Sequence, residues 1–194
     1  LSLVTIGLGW DIATQKKSFL GGLFGEQPAE YDLDVVAFLC DANDTVRDVG
    51  RDASGNPTLK NSDVIFFNNL KHRSGDIWLT GDNRTGAGDG DDEQIIVKLN
   101  SLSNDYYKIV FIVQIYEGAK NNQHFGQVQN AFIRAVDASG KEMVRFNLSG
   151  KDQYDQQRSL LFAELVRESN GWKFNALGSS SASDNFVEWL KKYV

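Results

Sequence analysis

The stretch AFIRAVDASGKEMVRFN, residues 131–147, decides the fold. Two short runs, Ala131–Val136 and Glu142–Asn147, flank an Asp/Ser/Gly turn. Short β-branched and aromatic runs on either side of such a turn read as a β-hairpin. The same texture repeats along all 194 residues, with Gly, Asn, Asp and Ser between the runs. The further candidate strands are Leu3–Leu8, Leu33–Cys40, Asp63–Phe67, Ile77–Thr80, Gln94–Leu99, Lys108–Tyr116, Leu160–Val166 and Trp172–Leu177. In VRESNGWKF, Asn170 and Gly171 stand where a type I′ turn takes positive φ twice.

About ten strands with short connections, and no long helical period between them, give an all-β chain: a two-layer antiparallel β-sandwich rather than a βαβ sheet. One short C-terminal helix is expected. Ser183 caps it, Asp184 lies in its first turn, Phe186, Trp189, Leu190 and Tyr193 share a face, and Lys191 and Lys192 end it. This helix is expected to close one flank of the sandwich. Residues 1–194 read as a single domain with two insert-like loops, 12–30 and 47–60. The first carries FLGGLFG at 19–25, which either folds back onto the sandwich or touches a membrane or partner.

Composition narrows the function classes. With 26 acidic and 20 basic residues and a net charge of −6, the chain lacks the basic character that nucleic acid requires, so small cations and basic partners fit better. The single cysteine, Cys40 in VVAFLC, reads as a buried thiol; it cannot form an internal disulfide, which suits a reducing cytoplasm. The longest apolar runs are about six residues, against the roughly 18 needed for a transmembrane helix, so no transmembrane segment is expected. No secretory signal is visible.

The sharpest chemical feature is GDNRTGAGDGDDE, residues 81–93. It holds five carboxylates (Asp82, Asp89, Asp91, Asp92 and Glu93), with Arg84 as its only cation. Two carboxylates about 4 Å apart repel by roughly 1 kcal/mol in water and about 4 kcal/mol at an effective dielectric near 20. Exposure, basic side chains, raised pKa values or a bound cation must offset this. Arg84 answers only one charge. Ca²⁺ takes six to eight oxygen ligands in irregular geometry, and glycines let the backbone bend around it. Without an accompanying Cys/His cluster, zinc and copper are poor candidates. The EF-hand pattern fails, because Arg84 occupies its third position when counted from Asp82. Further ligands must therefore come from elsewhere: Asp32 and Asp34 of YDLD, which share one face by alternation, Asn68 or Asn69 of FFNNL, and Asp11. The plainer alternative is a solvated acidic turn.

Taken in order, GLGWD, YDLDVVAFL, FFNNL, TGDNRTGAGDGDDEQI, YKIVFIVQIYE, FGQVQNAFIR and WKFNALG resemble the bacterial tellurium-resistance TerD family of cytoplasmic calcium-binding stress proteins. The resemblance runs from Leu3 to about Gly178. It implies a calcium-binding β-sandwich whose metal ligands come from Asp32, Asp34, Asn68, Asp82, Asn83, Asp89, Asp91, Asp92 and Glu93. The chain departs from the family in a short stretch before GLGWD and in longer segments at 12–30 and 47–60.

Catalytic readings are weaker. GSSSAS, residues 178–183, approaches the G-x-S-x-G nucleophile pattern, but both His72 and His124 precede it, against the hydrolase order. It reads better as the turn and cap of the last helix. His72 and His124 read as hydrogen-bonded turn residues. The acidic loop has no aromatic platform for a sugar beyond Trp78, and it lacks the Gly-Lys-Ser/Thr of a phosphate loop. The reading is a cytoplasmic, non-enzymatic, calcium-binding stress-response protein. Its expected partners are calcium ions and other stress or tellurium-resistance proteins, with the inner face of the membrane as one meeting place. The alternative is a metal-dependent enzyme or sugar-binding module using the same acids.

Overall fold

The computed structural model describes residues 1–11, 30–80, 90–150 and 153–194. The strands are β1 (Leu3–Asp11), β2 (Leu33–Cys40), β3 (Val64–Ile65), β4 (Ile77–Thr80), β5 (Glu93–Lys98), β6 (Lys108–Ile115), β7 (Gln129–Asp137), β8 (Glu142–Asn147), β9 (Ser159–Glu168) and β10 (Gly171–Ser181). They form two antiparallel five-stranded sheets, ordered β4-β5-β1-β7-β8 and β10-β9-β6-β2-β3. The sandwich is therefore as the sequence indicates.

Alternation builds the space between the sheets. Val4, Ile6, Leu8 and Trp10 of β1 face Leu33, Val35, Ala37 and Leu39 of β2 and Ile109, Phe111, Val113 and Ile115 of β6 in one apolar core. β2 and β6 differ from the other strands in being apolar on both faces, and every residue of β2 is buried. Their opposite faces, with Val36, Phe38, Cys40, Val110 and Ile112, form a second core under the 46–66 segment and the C-terminus. A continuous apolar run thus marks a strand covered on both sides.

The C-terminal helix is α1 (Val187–Leu190), a single turn. One turn cannot repay its own nucleation cost in water, so packing must hold it. Phe186, Trp189 and Leu190 are buried on the outer face of the second sheet, each worth about 1.5–3 kcal/mol. The helix thus covers a face rather than closing a flank. Ser183 does not cap it: Phe186 occupies that position, and its N–H donates to Gln114 Oε1 at 2.8 Å. Nor is 178–183 simply a turn, since Ser179–Ser181 pair with β9 after a bulge at which Gly178 takes φ +79°.

The β7–β8 hairpin closes as expected, with Asp137 Oδ1 accepting the Ser139 and Lys141 N–H groups. The β9–β10 turn differs. Gly171 pairs with Glu168, so Ser169 and Asn170 form the connection, and of Asn170 and Gly171 only the glycine has positive φ. Segment 47–60 is an ordered arch: Leu59 N donates to Val49 O at 2.8 Å, and Arg51 bridges to Pro57. Most of loop 12–30, with FLGGLFG, lies outside the described residues. No helix of the described residues is long and apolar enough to cross a membrane.

Candidate functional site

At the start of β5, alternation sends the last carboxylates of the acidic segment to different levels. Asp91 lies over the outer face of the first sheet. There Gly7 of β1 stands in register with Gln94 on one side and Arg134 on the other. Arg134 donates Nε to Asp91 Oδ1 at 2.8 Å and Nη2 to Oδ2 at 3.1 Å, and Gln94 Nε2 adds a third bond at 3.0 Å. A methyl group at Gly7 would overlap this carboxylate. The first glycine of GLGWD therefore makes room for an ion pair, while Leu8 and Trp10 face the core.

Asp92 accepts the Trp10 N–H at 2.9 Å, and its own N–H donates to Leu8 O at 2.7 Å. Burial pushes the Asp92 carboxyl above the usual carboxylate range; the Trp10 hydrogen bond opposes this, and the Asp11 and Asp91 charges reinforce it.

Glu93 stands opposite Leu8 in the ladder and is 1% exposed. It crosses to the other sheet, where Oε2 accepts the Val35 N–H at 3.1 Å. β3 pairs with β2 only at Ala37 and Phe38, which leaves that N–H to the side chain. One residue away, Asp34 is 3% exposed and accepts Gln114 Nε2 at 3.3 Å. Asp32 lies just before β2, and its carbonyl accepts the Tyr116 N–H at 2.7 Å. The chain after β3 runs back toward this end, where Phe67 packs edge-on against Tyr116 at 5.4 Å. It leaves Asn68 exposed, while Asn69 is buried and donates to Val64 O at 2.6 Å. Asp11 is exposed and accepts from Asn130.

The structure thus gathers Asp32, Asp34, Asp92 and Glu93 at one end of the sandwich. It ties Asp91 to Arg134 and leaves Asn68 on a surface turn. Asp82, Asn83 and Asp89 lie outside the described residues. The donors are oxygens, which suits a hard cation such as Ca²⁺. Among the described residues no group of three or more His, Cys, Asp or Glu is placed to hold a metal.

A second polar cluster carries no mark in the sequence. Asp63 and His72 side chains are each 1% exposed and meet at 3.1 Å. The Ser74 N–H donates to His72 Nδ1 at 3.2 Å, which leaves Nε2 facing Asp63 Oδ1. Tyr106 Oη and Arg73 Nη2 donate to the same Asp63 oxygen at 2.9 and 2.8 Å. Burial pushes the Asp63 carboxyl up, but the His72 and Tyr106 hydrogen bonds and the Arg73 charge outweigh it and hold it below its ordinary value. A neighbouring cavity is lined by Arg47, Asp48, Asp63, Arg73, Asp105 and Tyr106. His72 is a buried strut.

Comparison with known proteins places these features in a family. The TerD domain model matches residues 1–193. The chain is 65% identical to Tellurium resistance protein TerX of Serratia marcescens over 194 residues, covering 100% of this chain and 91% of that protein. It is 37% identical to Stress response protein SCP2 of Bacillus subtilis (strain 168), with coverage of 100% and 90%. The fold matches a crystal structure of a homologue of telluride resistance protein (TerD) from Streptomyces coelicolor A3(2), with TM-score 0.69, 22% identity and coverage of 96% and 94%.

Proposed function

This chain belongs to the TerD domain family of tellurium-resistance and stress-response proteins, and on that premise we propose that it is a non-enzymatic, calcium-binding member acting in the cytoplasm. The observation that carries the reading is the placement of Asp92 and Glu93. Each is anchored by a backbone N–H, of Trp10 and Val35 respectively, so the end of the acidic segment is held beside Asp34 of the opposite sheet. Asp32, Asp34, Asp92 and Glu93, with Asp82, Asn83 and Asp89 of the loop, would supply oxygens to the ion. Calcium would offset the mutual repulsion of these carboxylates and order the 81–93 segment as a surface for other stress or tellurium-resistance proteins. Asp91 serves the site from outside, as the arginine-bound hinge of that segment.

Calorimetric titration with calcium tests this, alongside melting curves. An ion that binds only the folded state stabilises it by RT ln(1 + [L]/Kd), about 2.7 kcal/mol at a hundredfold excess over Kd. Asp34→Asn, Asp89→Asn and Asp92→Asn should each weaken binding and shrink the rise in Tm. A wild-type protein that gives neither heat nor a Tm shift removes the calcium reading.

A further inference from the structure

On the outer side of the second sheet, away from the acidic end, the 46–59 arch and α1 stand apart and leave a cavity of about 450 Å³. Its walls are apolar: Val49 and Leu59 from the arch, Val187 and Leu190 from the helix. Arg47, Arg51 and Lys191 supply its cations, Val46, Pro57 and Val194 complete the lining, and no acidic side chain is among its described lining residues. In a chain of net charge −6 this is a local reversal of sign.

The groove is built rather than left over. The Leu59 N–H donates to Val49 O at 2.8 Å, the Thr58 N–H to Gly50 O at 2.7 Å, and Asp52 Oδ1 fixes the tip by accepting the Ser54 and Asn56 N–H groups. The Val46 N–H donates to Tyr193 O at 2.7 Å, tying the arch to the helix side. Leu59 reaches the groove from φ +58°, a left-handed conformation that a bulky residue seldom adopts without a surrounding structure to impose it. Two of the cations are only lightly engaged. Arg51 donates to Gly55 O within its own turn, and Lys191 pairs with Glu188 at the surface. Arg47 makes no ion pair among the described residues.

An apolar cavity of this size with a basic rim recognises an apolar tail and an anionic head. We propose that this groove binds a single-chain anionic amphiphile, a monomeric fatty carboxylate, with its tail between Leu59 and Leu190 and its carboxylate on Arg47 and Arg51. A cavity of about 450 Å³ suits one short acyl chain, so the free monomer is the ligand.

The test is calorimetric titration of the full chain, in chelator, with octanoate, decanoate and decanol below their micelle concentrations. Decanoate should bind one to one, about fourfold tighter per added methylene when compared with octanoate, and about tenfold tighter than decanol. Arg47→Gln with Arg51→Gln should bring decanoate to the level of decanol and leave decanol unchanged. Val187→Trp, checked for an unaltered fold by near-ultraviolet circular dichroism, should abolish both. The proposal is overturned if decanoate does not bind, or if the double arginine variant binds it as tightly as the wild type. It is equally overturned if phosphatidylglycerol vesicles capture the protein while monomeric decanoate does not bind.

Discussion

Arg134 closes on Asp91 through two parallel hydrogen bonds, although 43 residues separate them, and the two ends of this pair are unequally dry. The Asp91 side chain is 3% exposed and that of Arg134 is 30% exposed. Removing the arginine leaves a buried carboxylate with Gln94 as its one remaining side-chain donor among the described residues, whereas removing the acid leaves a guanidinium that water and Glu142 can still reach. Arg134→Ala should therefore cost about 1–3 kcal/mol in urea unfolding, and Asp91→Ala distinctly less. The reverse order would show that the pair is held by something other than the burial of Asp91.

Gly7 and Asp91 should behave as one unit. Gly7→Ala places a methyl group inside the Asp91 carboxylate and must expel it from Arg134. A loss of about 1–3 kcal/mol is expected. The same substitution made in an Asp91→Ala background should be nearly neutral, and a double-mutant cycle over the four proteins reads the coupling directly.

The Asp63 strut sets an acid limit. Its folded carboxyl lies below the ordinary value, so the unfolded chain takes up the proton first as pH falls. The stability this group contributes is present above about pH 4 and lost as pH drops through the folded pKa. Tyr106 sets the opposite edge: burial and then Asp63 push its phenol up to about 12. Its contribution is complete below about pH 10 and lost as pH rises through 12. Denaturation midpoints across pH should show this plateau, and Asp63→Asn should flatten the acid limb.

Cys40 should be chemically silent in the folded protein. Burial, and then the Asp44 charge, push its thiol up to about 12, and the residue is fully buried beneath the C-terminal segment. Since the thiolate is the reactive form, a disulfide reagent at pH 8 should label the native protein only as fast as it opens, and the urea-unfolded protein at once and completely. Rapid native labelling would mean that the 186–194 segment leaves the sheet readily.

The strands were legible because their causes are local. β2, β4 and β8 begin and end where the apolar and β-branched runs do. The helix cap was not, because a side chain from another strand decides it: Gln114 of β6 takes the Phe186 N–H that Ser183 was expected to serve. Segment 178–183 misled for a related reason. Its glycine and serines suit a turn, but β9 is long enough to draw Ser179–Ser181 into pairing past a bulge. At the candidate site the acids declared themselves by crowding. Arg134 did not, since nothing in AFIRAV marks one alternating position as the partner of Asp91. Gly7 carried the trace of it, as a residue without a side chain on an outward position of β1.

Among the described residues four strands end the sheets, and three of them are short: β3 has two residues, β4 four and β8 six. β10 has eleven and would offer another molecule a long row of unpaired backbone groups. The bulge at Ala176–Ser179, with Gly178 in its left-handed conformation, breaks that row before its last residues. Protection against edge-to-edge association is thus written into the irregularity of one border strand, and deleting Gly178 to straighten it would favour that association.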